Sequence, residues 1–432
     1  MTGFSATVPS MIAADDALTL VQSGQRVYIG GGCGVPTPLL HALVARAPEL
    51  QNVEIIHILT AGDDPTTEQE HDGAFRHNAL FVGPNVRRAV NEGRADFTPI
   101  FLSEIPRLFR SGDLPIDVAI IQVAPPDQHG FCSLGVEVGC SLPAAQLART
   151  VIAEVNAQMP RTLGDSFIHV SRITACVETD RPLQELPQGD TNPVAERIGQ
   201  HIADLIPDGA TLQLGLGAVP DSVLRYLGHK RHLGIHSELF SDGIIDLVEA
   251  GVIDGESKSV HRGKLVAGFL LGSRRLFDWV HNNAMVELHP TDYVNDPFVI
   301  AQHKRMVAIN SAVQIDLSGQ VCADSIGTRI YSGAGGQVDF IRGAARAEEG
   351  RPIIALPATA QNGTRSRIVP TLELGAGVVT SRYDVHYVVT EHGVAHLHGK
   401  TLAQRARALI AIADPEFQPM LTDAARELHY FN

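Results

Sequence analysis

The segment VYIGGGCGVPTPLLHAL, residues 27–43, decides how the chain is read, because its pattern comes twice. The second occurrence is LQLGLGAVPDSVLRYL, residues 212–227. Gly30, Gly32 and Pro36 fall against Gly215, Gly217 and Pro220, with one extra residue in the first copy. In both, an apolar run of strand type enters a Gly-rich turn and then a segment of helical apolar spacing, in the first copy Leu39, Leu40, Leu43 and Val44. Two more pairs follow in the same order. VAIIQVAPPDQHGFCSLG (118–135) matches VAINSAVQIDLSGQVCADSIG (307–327), and TACVET (174–179) matches YVVTEH (387–392) in outline. The copies stand about 185–210 residues apart, far beyond the periods of solenoid repeats.

Working outward, strands are also expected at VEIIHIL (53–59) and SFIHVS (166–171), and a helix over 14–23 that stops at Gly24. Strands alternating with helices predict an α/β protein with largely parallel sheets. The fold expected is two similar open α/β domains related by internal duplication, with the active site in the cleft between them. The boundary lies in RPLQELPQGDTNP (181–193), which has prolines at 182, 187 and 193. The domains are therefore placed at 1–185 and 190–432. Thr191 or Asn192 is positioned to cap the next helix, with Pro193 in its first turn and Val194, Ile198, Ile202 and Leu205 as its apolar stripe.

Composition narrows the function. The 432 residues are 44% hydrophobic and 19% charged, which suits a chain that buries a real core. Lys and Arg number 34 against 48 Asp and Glu, a net charge of −14, which argues against a nucleic-acid partner because phosphate contacts need a basic surface. A small anion, which needs only local donors, is not excluded. Cys33, Cys132, Cys140, Cys176 and Cys322 form no CxxC pair or zinc spacing, and so read as buried reduced thiols of a cytoplasmic protein. Asp15 and Asp16 stand where an export signal would be basic and then apolar, and no apolar run approaches the length of a membrane span.

Three stretches carry chemistry. GLGAVP (215–220) follows a strand and opens a helix, so backbone amides there can face an anionic group. A dinucleotide fingerprint would need a glycine where Pro220 stands, leaving either a ligand loop or a plain turn. SGAGGQVDFIRGA (332–344) is a second Gly-rich loop before a helix, where Gly335 and Gly336 allow close backbone approach. In HLGIHSELFSDGIIDLVEAGVIDG (232–255), LGIHSE reads as a short strand and Asp242 as the cap of a helix that stops at Gly251. Glu238 then lies at the carboxyl end of a strand, where open α/β sheets place their ligands. The histidines form no HExxH pair, and no metal is expected. Ser237 and Ser241 lack a nucleophile elbow, which disfavours a serine hydrolase.

These stretches, together with GTRSRIVP (363–370) and VVTEHGVAHLHGK (388–400), occur in an order that resembles the acetyl-CoA hydrolase/transferase family of class I CoA-transferases, particularly its 4-hydroxybutyrate and butyrate CoA-transferases. The likeness runs from about residue 10 to 430. It implies two α/β domains and Glu238 as a nucleophile that passes through a glutamyl-CoA thioester. It implies a CoA and oxyanion site around Gln213, Gly215, Leu216, Gly217, Ala218, Gly335 and Gly336. Many members have Asn where Ala218 stands, so only backbone contacts are expected there. The acid is expected at Gly32, Cys33 and Thr60 of the first domain and at Glu391. The resemblance points to acetyl-CoA or succinyl-CoA as donor, to a short acid such as 4-hydroxybutyrate, to no cofactor beyond coenzyme A, and to a dimer or tetramer. Members often have Tyr at His392 and an apolar residue at Arg365. Arg365, and Arg172 after FIHVS, are candidates to pair the far carboxylate of succinate or itaconate. An acyl-CoA hydrolase on the same scaffold and a CoA-binding sensor are the competing readings.

Overall fold

A computed structural model of the chain describes residues 10–186, 189 and 192–431. The chain forms two compact units, Met1–Pro187 with Val266–Val294, and Gln188–Leu265 with Asn295–Asn432. The first unit gives way to the second at Pro187–Gln188, and Val266–Val294 interrupts the run 190–432. Val266–Val294 groups with the first unit, to which it makes backbone bonds. Val286–Leu288 pairs in parallel with Leu163–Gly164, Phe269 bridges Glu137, and Val138 N–H donates to the Gly268 carbonyl. A contribution from so distant a part of the chain leaves no local signature.

The first unit is a seven-stranded sheet. In chain order its strands are β1 (Arg26–Ile29), β2 (Val53–His57), β3 (Phe75–Ala79), β4 (Asp96–Phe97), β5 (Val118–Val123), β6 (Thr150–Asn156) and β7 (Ala175–Thr179). The spatial order is β7-β6-β5-β1-β2-β3-β4, and every pairing is parallel. Parallel strands are covered on both faces, so they read as continuous apolar runs; VAIIQV of β5 is buried at all six positions. SFIHVS is not in this sheet. Phe167–His169 pairs antiparallel with Phe131–Ser133, and TVIAEVN (150–156) takes the sheet position instead. Helix α1 is shorter than expected, Ala14–Leu18, although Gly24 does adopt a left-handed φ of 78°. Helix α2 (Thr37–Ala45) buries Leu39, Leu40 and Leu43 against Val27, Ile29 and Ile55, each fully buried side chain contributing about 1.5–3 kcal/mol.

In the second unit, α3 (Pro193–Leu205) begins as expected, with the Asn192 side chain accepting from Ala195 N–H; Thr191 lies outside the described residues. The strands are β8 (Thr211–Leu214), β9 (Gly234–His236), β10 (Met306–Ser311), β11 (Arg351–Ala355), β12 (Tyr387–Thr390) and β13 (Gly393–His396). Their order is β13-β12-β11-β10-β8-β9, parallel except for the terminal β12–β13 hairpin. The run β9-β8-β10-β11-β12 has the same connectivity as β2-β1-β5-β6-β7 of the first unit. The three repeated segments are β1 with β8, β5 with β10, and β7 with β12. The repeats therefore occupy equivalent strands, as a duplication requires. Among the described residues no helix is long and apolar enough to cross a membrane.

Candidate active site

The chain leaves β8, turns at Gly215–Gly217 and enters α4 (Ala218–Arg225). Gly217 is the residue before that helix and has φ 112°, a conformation that a side chain would strain. It then crosses to β9 on one side of β8 and returns to β10 on the other. Such a reversal leaves a crevice at the carboxyl ends of the strands.

Glu238 lies in that crevice, two residues beyond β9. Its loop is held from both sides. Leu239 pairs antiparallel with Leu214, the last residue of β8. Ser237 Oγ donates to the Leu214 carbonyl at 3.1 Å and accepts from Leu214 N–H at 3.3 Å. Asp242 occupies the position before helix α5 (Gly243–Glu249), but its side chain makes no capping bond, contrary to expectation, because its own backbone is already helical. The helix does end at Ala250, just before Gly251.

Two groups from distant parts of the second unit meet the Glu238 carboxyl. Asn295 Nδ2, 57 residues away, donates to Oε2 at 3.1 Å. The backbone N–H of Gly336 donates to the same carboxyl group. Gly336 immediately precedes helix α6 (Gln337–Arg346), whose first residue is anchored to the end of β10: Gln337 Nε2 donates to the Ser311 carbonyl at 2.6 Å. A Cβ at Gly336 would collide with both Glu238 Oε2 and Asn295 Nδ2, so the residue must be glycine for the three groups to meet. Burial pushes the Glu238 pKa up to about 7, and the bonds from Asn295 and Gly336, which favour the charged form, act against it. The result is a carboxylate that titrates near neutrality while held by two donors.

The other sequence candidates fall into three groups. Gln213, Gly215, Leu216, Gly217 and Ala218 line the end of β8 and the start of α4. Gln213 is buried, accepts from Asn310 Nδ2 at 2.9 Å and donates to the Ile309 carbonyl at 3.4 Å, while Leu216 is exposed. Gly32, Cys33 and Thr60 are brought together in the first unit. Gly32 and Thr60 form a β-bridge, Gly32 N–H donates to the Leu59 carbonyl, and Asn85 Nδ2 holds Thr60 Oγ1 at 2.6 Å. The third group is already committed elsewhere. Glu391 is buried with Oε2 accepting from Ala358 N–H at 2.8 Å, which braces the loop after β11. Arg172 is exposed and donates to the Gln146 carbonyl; Arg365 is exposed and pairs with Glu373 at 3.6 Å. Both guanidiniums are thus exposed and hold a partner at the surface.

Sequence reasoning missed Asn295, whose only local context is a turn-like Asn-Asp-Pro. It also missed a buried set of metal-ligating type, His57, Asp64 and His77, whose ligand atoms all lie within 4.8 Å of one another. Asp64 Oδ2 is 3.7 Å from both His57 Nδ1 and His77 Nε2, and Thr66 Oγ1 donates to Asp64 Oδ1 at 2.6 Å. Their spacing of 7 and 13 residues matches no metal motif.

Comparison with known proteins bears on this geometry. Residues 8–187 match the acetyl-CoA hydrolase/transferase N-terminal domain, and residues 272–425 match the C-terminal domain. The chain is 53% identical to a 4-hydroxybutyrate coenzyme A transferase of Clostridium kluyveri, covering 95% of this chain and 96% of that one. It is 48% identical to a succinyl-CoA:acetate/propanoyl-CoA:succinate CoA transferase of Fasciola hepatica, covering 95% and 86%. Among solved structures it is similar to a 4-hydroxybutyrate CoA-transferase of Porphyromonas gingivalis, at 40% identity and a TM-score of 0.84 over 97% of each chain.

Proposed function

This chain belongs to the acetyl-CoA hydrolase/transferase family, and on that premise we propose that it moves CoA from an acyl-CoA to a short carboxylic acid through a thioester on Glu238. The reading is carried by one observation, the Glu238 carboxyl held at a strand end by Asn295 Nδ2 and Gly336 N–H.

With Oε2 held by Asn295, the carboxylate attacks the thioester carbonyl, giving an acyl-glutamyl anhydride and the CoA thiolate. The thiolate then attacks the glutamyl carbonyl. The anhydride C–O bond breaks, the first acid leaves as a carboxylate, and CoA remains on Glu238 as a thioester. A second carboxylate attacks that thioester to form a new anhydride and release the thiolate, which attacks the acyl carbonyl; the new acyl-CoA leaves and Glu238 is regenerated. Every step passes through an oxyanion. Donors already in place for it are worth about 10²–10³ in rate each, because nothing must reorganise as the charge develops. A carboxylate is a weak nucleophile, and partial desolvation, which raises its pKa to about 7, also raises its basicity. Remote binding of the pantetheine and nucleotide supplies the rest.

The test is to incubate the protein with acyl-CoA and no acid. The expected product is a CoA-sized adduct on the peptide containing Glu238, reducible by borohydride and absent from Glu238→Ala. Turnover is then measured with a panel of carboxylic acids and with water alone. Acid-dependent formation of a new acyl-CoA supports transfer; hydrolysis that no acid outcompetes would refute it.

A further inference from the structure

Glu137 belongs to the first unit, in the segment FCSLGVEVGC (131–140), between the strand Phe131–Ser133 and the helix Ser141–Leu147. Its side chain is 8% exposed. The carboxyl accepts from the backbone N–H groups of Gly31 and Cys140, yet Oε2 has no hydrogen-bond partner. A buried carboxyl oxygen left in that state is costly, and native proteins keep such atoms chiefly where function needs them. Burial pushes the group up to about 8, so at neutral pH it carries a proton.

This carboxyl lines a recess of about 20 Å³ together with Gly31, Gly32, Leu59, Cys140 and Phe269. Gly32 is one of the residues expected to meet the acid. The volume accommodates about one water-sized group. The walls are mainly apolar, and no lysine or arginine lines the recess among the described residues. A second carboxylate placed there would face an acidic group with no cation to offset it, so one of the two would have to be protonated. A hydroxyl suits either state, donating to a carboxylate or accepting from a carboxylic acid. A methyl group would leave Oε2 unpaired.

We propose that Glu137 is a specificity-determining residue, and that its Oε2 hydrogen-bonds the terminal hydroxyl of a short, unbranched ω-hydroxy acid in this recess. The inference rests on the CoA-transferase reading. It selects hydroxy acids over the dicarboxylates that Arg172 and Arg365 would have favoured.

The experiment measures kcat/KM for CoA transfer from acetyl-CoA to 4-hydroxybutyrate, butyrate, succinate and 4-methoxybutyrate. Wild type should prefer 4-hydroxybutyrate to the other three. The methyl ether serves as a probe that needs no variant, since it lacks the donor and exceeds the recess; it should be used at least about tenfold less well. Glu137→Met should lower kcat/KM for 4-hydroxybutyrate by about 10–100-fold more than for butyrate, the loss expected of one hydrogen bond to a buried polar group. Glu137→Gln, which keeps a donor and an acceptor, should retain the preference. Equal use of 4-hydroxybutyrate and its methyl ether, an unchanged hydroxybutyrate-to-butyrate ratio in a folded Glu137→Met protein, or a wild-type preference for succinate would overturn the assignment alone. Transfer to none of the acids would refute the CoA-transferase reading and the Glu137 assignment with it.

Discussion

The proposed attack on a thioester needs the ionised Glu238 carboxylate, whose pKa burial pushes up to about 7, so formation of the enzyme–CoA adduct should follow that titration. With a midpoint of about 7, the ionised fraction is about 0.1 at pH 6, 0.5 at pH 7 and 0.9 at pH 8, a tenfold rise across two units. A glutamate of ordinary pKa would give a flat profile over this range. Asn295→Ala sharpens the test. Its amide donates to Oε2 and favours the charged form, so removing it should move the midpoint upward by about one unit. At pH 7 the ionised fraction would fall about fivefold, while at pH 9 the variant would come within about 10% of wild type on ionisation alone. The assay is single-turnover release of acetate from acetyl-CoA, followed from pH 5.5 to 9 in buffers of constant ionic strength. Acetyl-CoA has no polar far end, so Glu137 has no hydroxyl to bind. A wild-type profile flat below pH 7, or an Asn295→Ala loss of the same size at every pH, would refute the reasoning.

The remaining predictions concern the supports of the site. Gly336→Ala places a methyl group onto Glu238 Oε2 and Asn295 Nδ2; transfer should fall by at least about 100-fold, with circular dichroism and melting showing the fold retained. Glu391→Ala leaves the Ala358 N–H without its acceptor and should cost about 1–3 kcal/mol of stability in urea denaturation, whereas Glu391→Gln, which can still accept, should cost less than about 1 kcal/mol. Arg172→Ala and Arg365→Ala should each leave kcat/KM for succinate within about twofold of wild type, as expected of exposed charges already paired at the surface. Glu137 has a pKa raised in the folded state from 4.5 to about 8, so its contribution to stability is present below pH 4.5 and lost as pH rises through 8. Glu137→Gln should therefore lose less stability than wild type between pH 5 and 9, with a difference of at most about 5 kcal/mol.

Much of this protein is local. A strand of continuous apolar residues, the Gly-rich turn after it and the apolar stripe of the helix that follows are short-range properties, so both copies of the repeat were legible at 27–43 and 212–227. The position of Glu238 at a strand end follows from the same kind of information, since LGIHSE and Gly251 bound its strand and the next helix within twenty residues. The equivalence of β5 with β10 and of β7 with β12 was likewise visible, because each repeat carries its own pattern. Where the reading stopped is equally physical. SFIHVS has the composition of a sheet strand, but TVIAEVN holds the place beside β5, and composition cannot rank two apolar runs competing for one position. Asn295 and Gly336 reach Glu238 across 57 and 98 residues, through strand order and the anchoring of α6; the Gly-rich loop marked Gly336 but not the carboxyl it meets, and Asn295 is not marked by its neighbours. Glu137 looks like any loop glutamate until the fold buries it against Gly31 and Cys140 and leaves one oxygen without a partner. Arg172 and Arg365 show the opposite side: a guanidinium announces what it can bind, but only packing decides that both are exposed and already paired. The sequence by itself thus determined the class of fold, its duplication and the place of Glu238 at a strand end, all products of short-range pattern. The tertiary structure alone decided which distant donors hold that carboxyl and which carboxyl is desolvated, because burial and hydrogen bonding between remote residues exist only once the sheets are assembled.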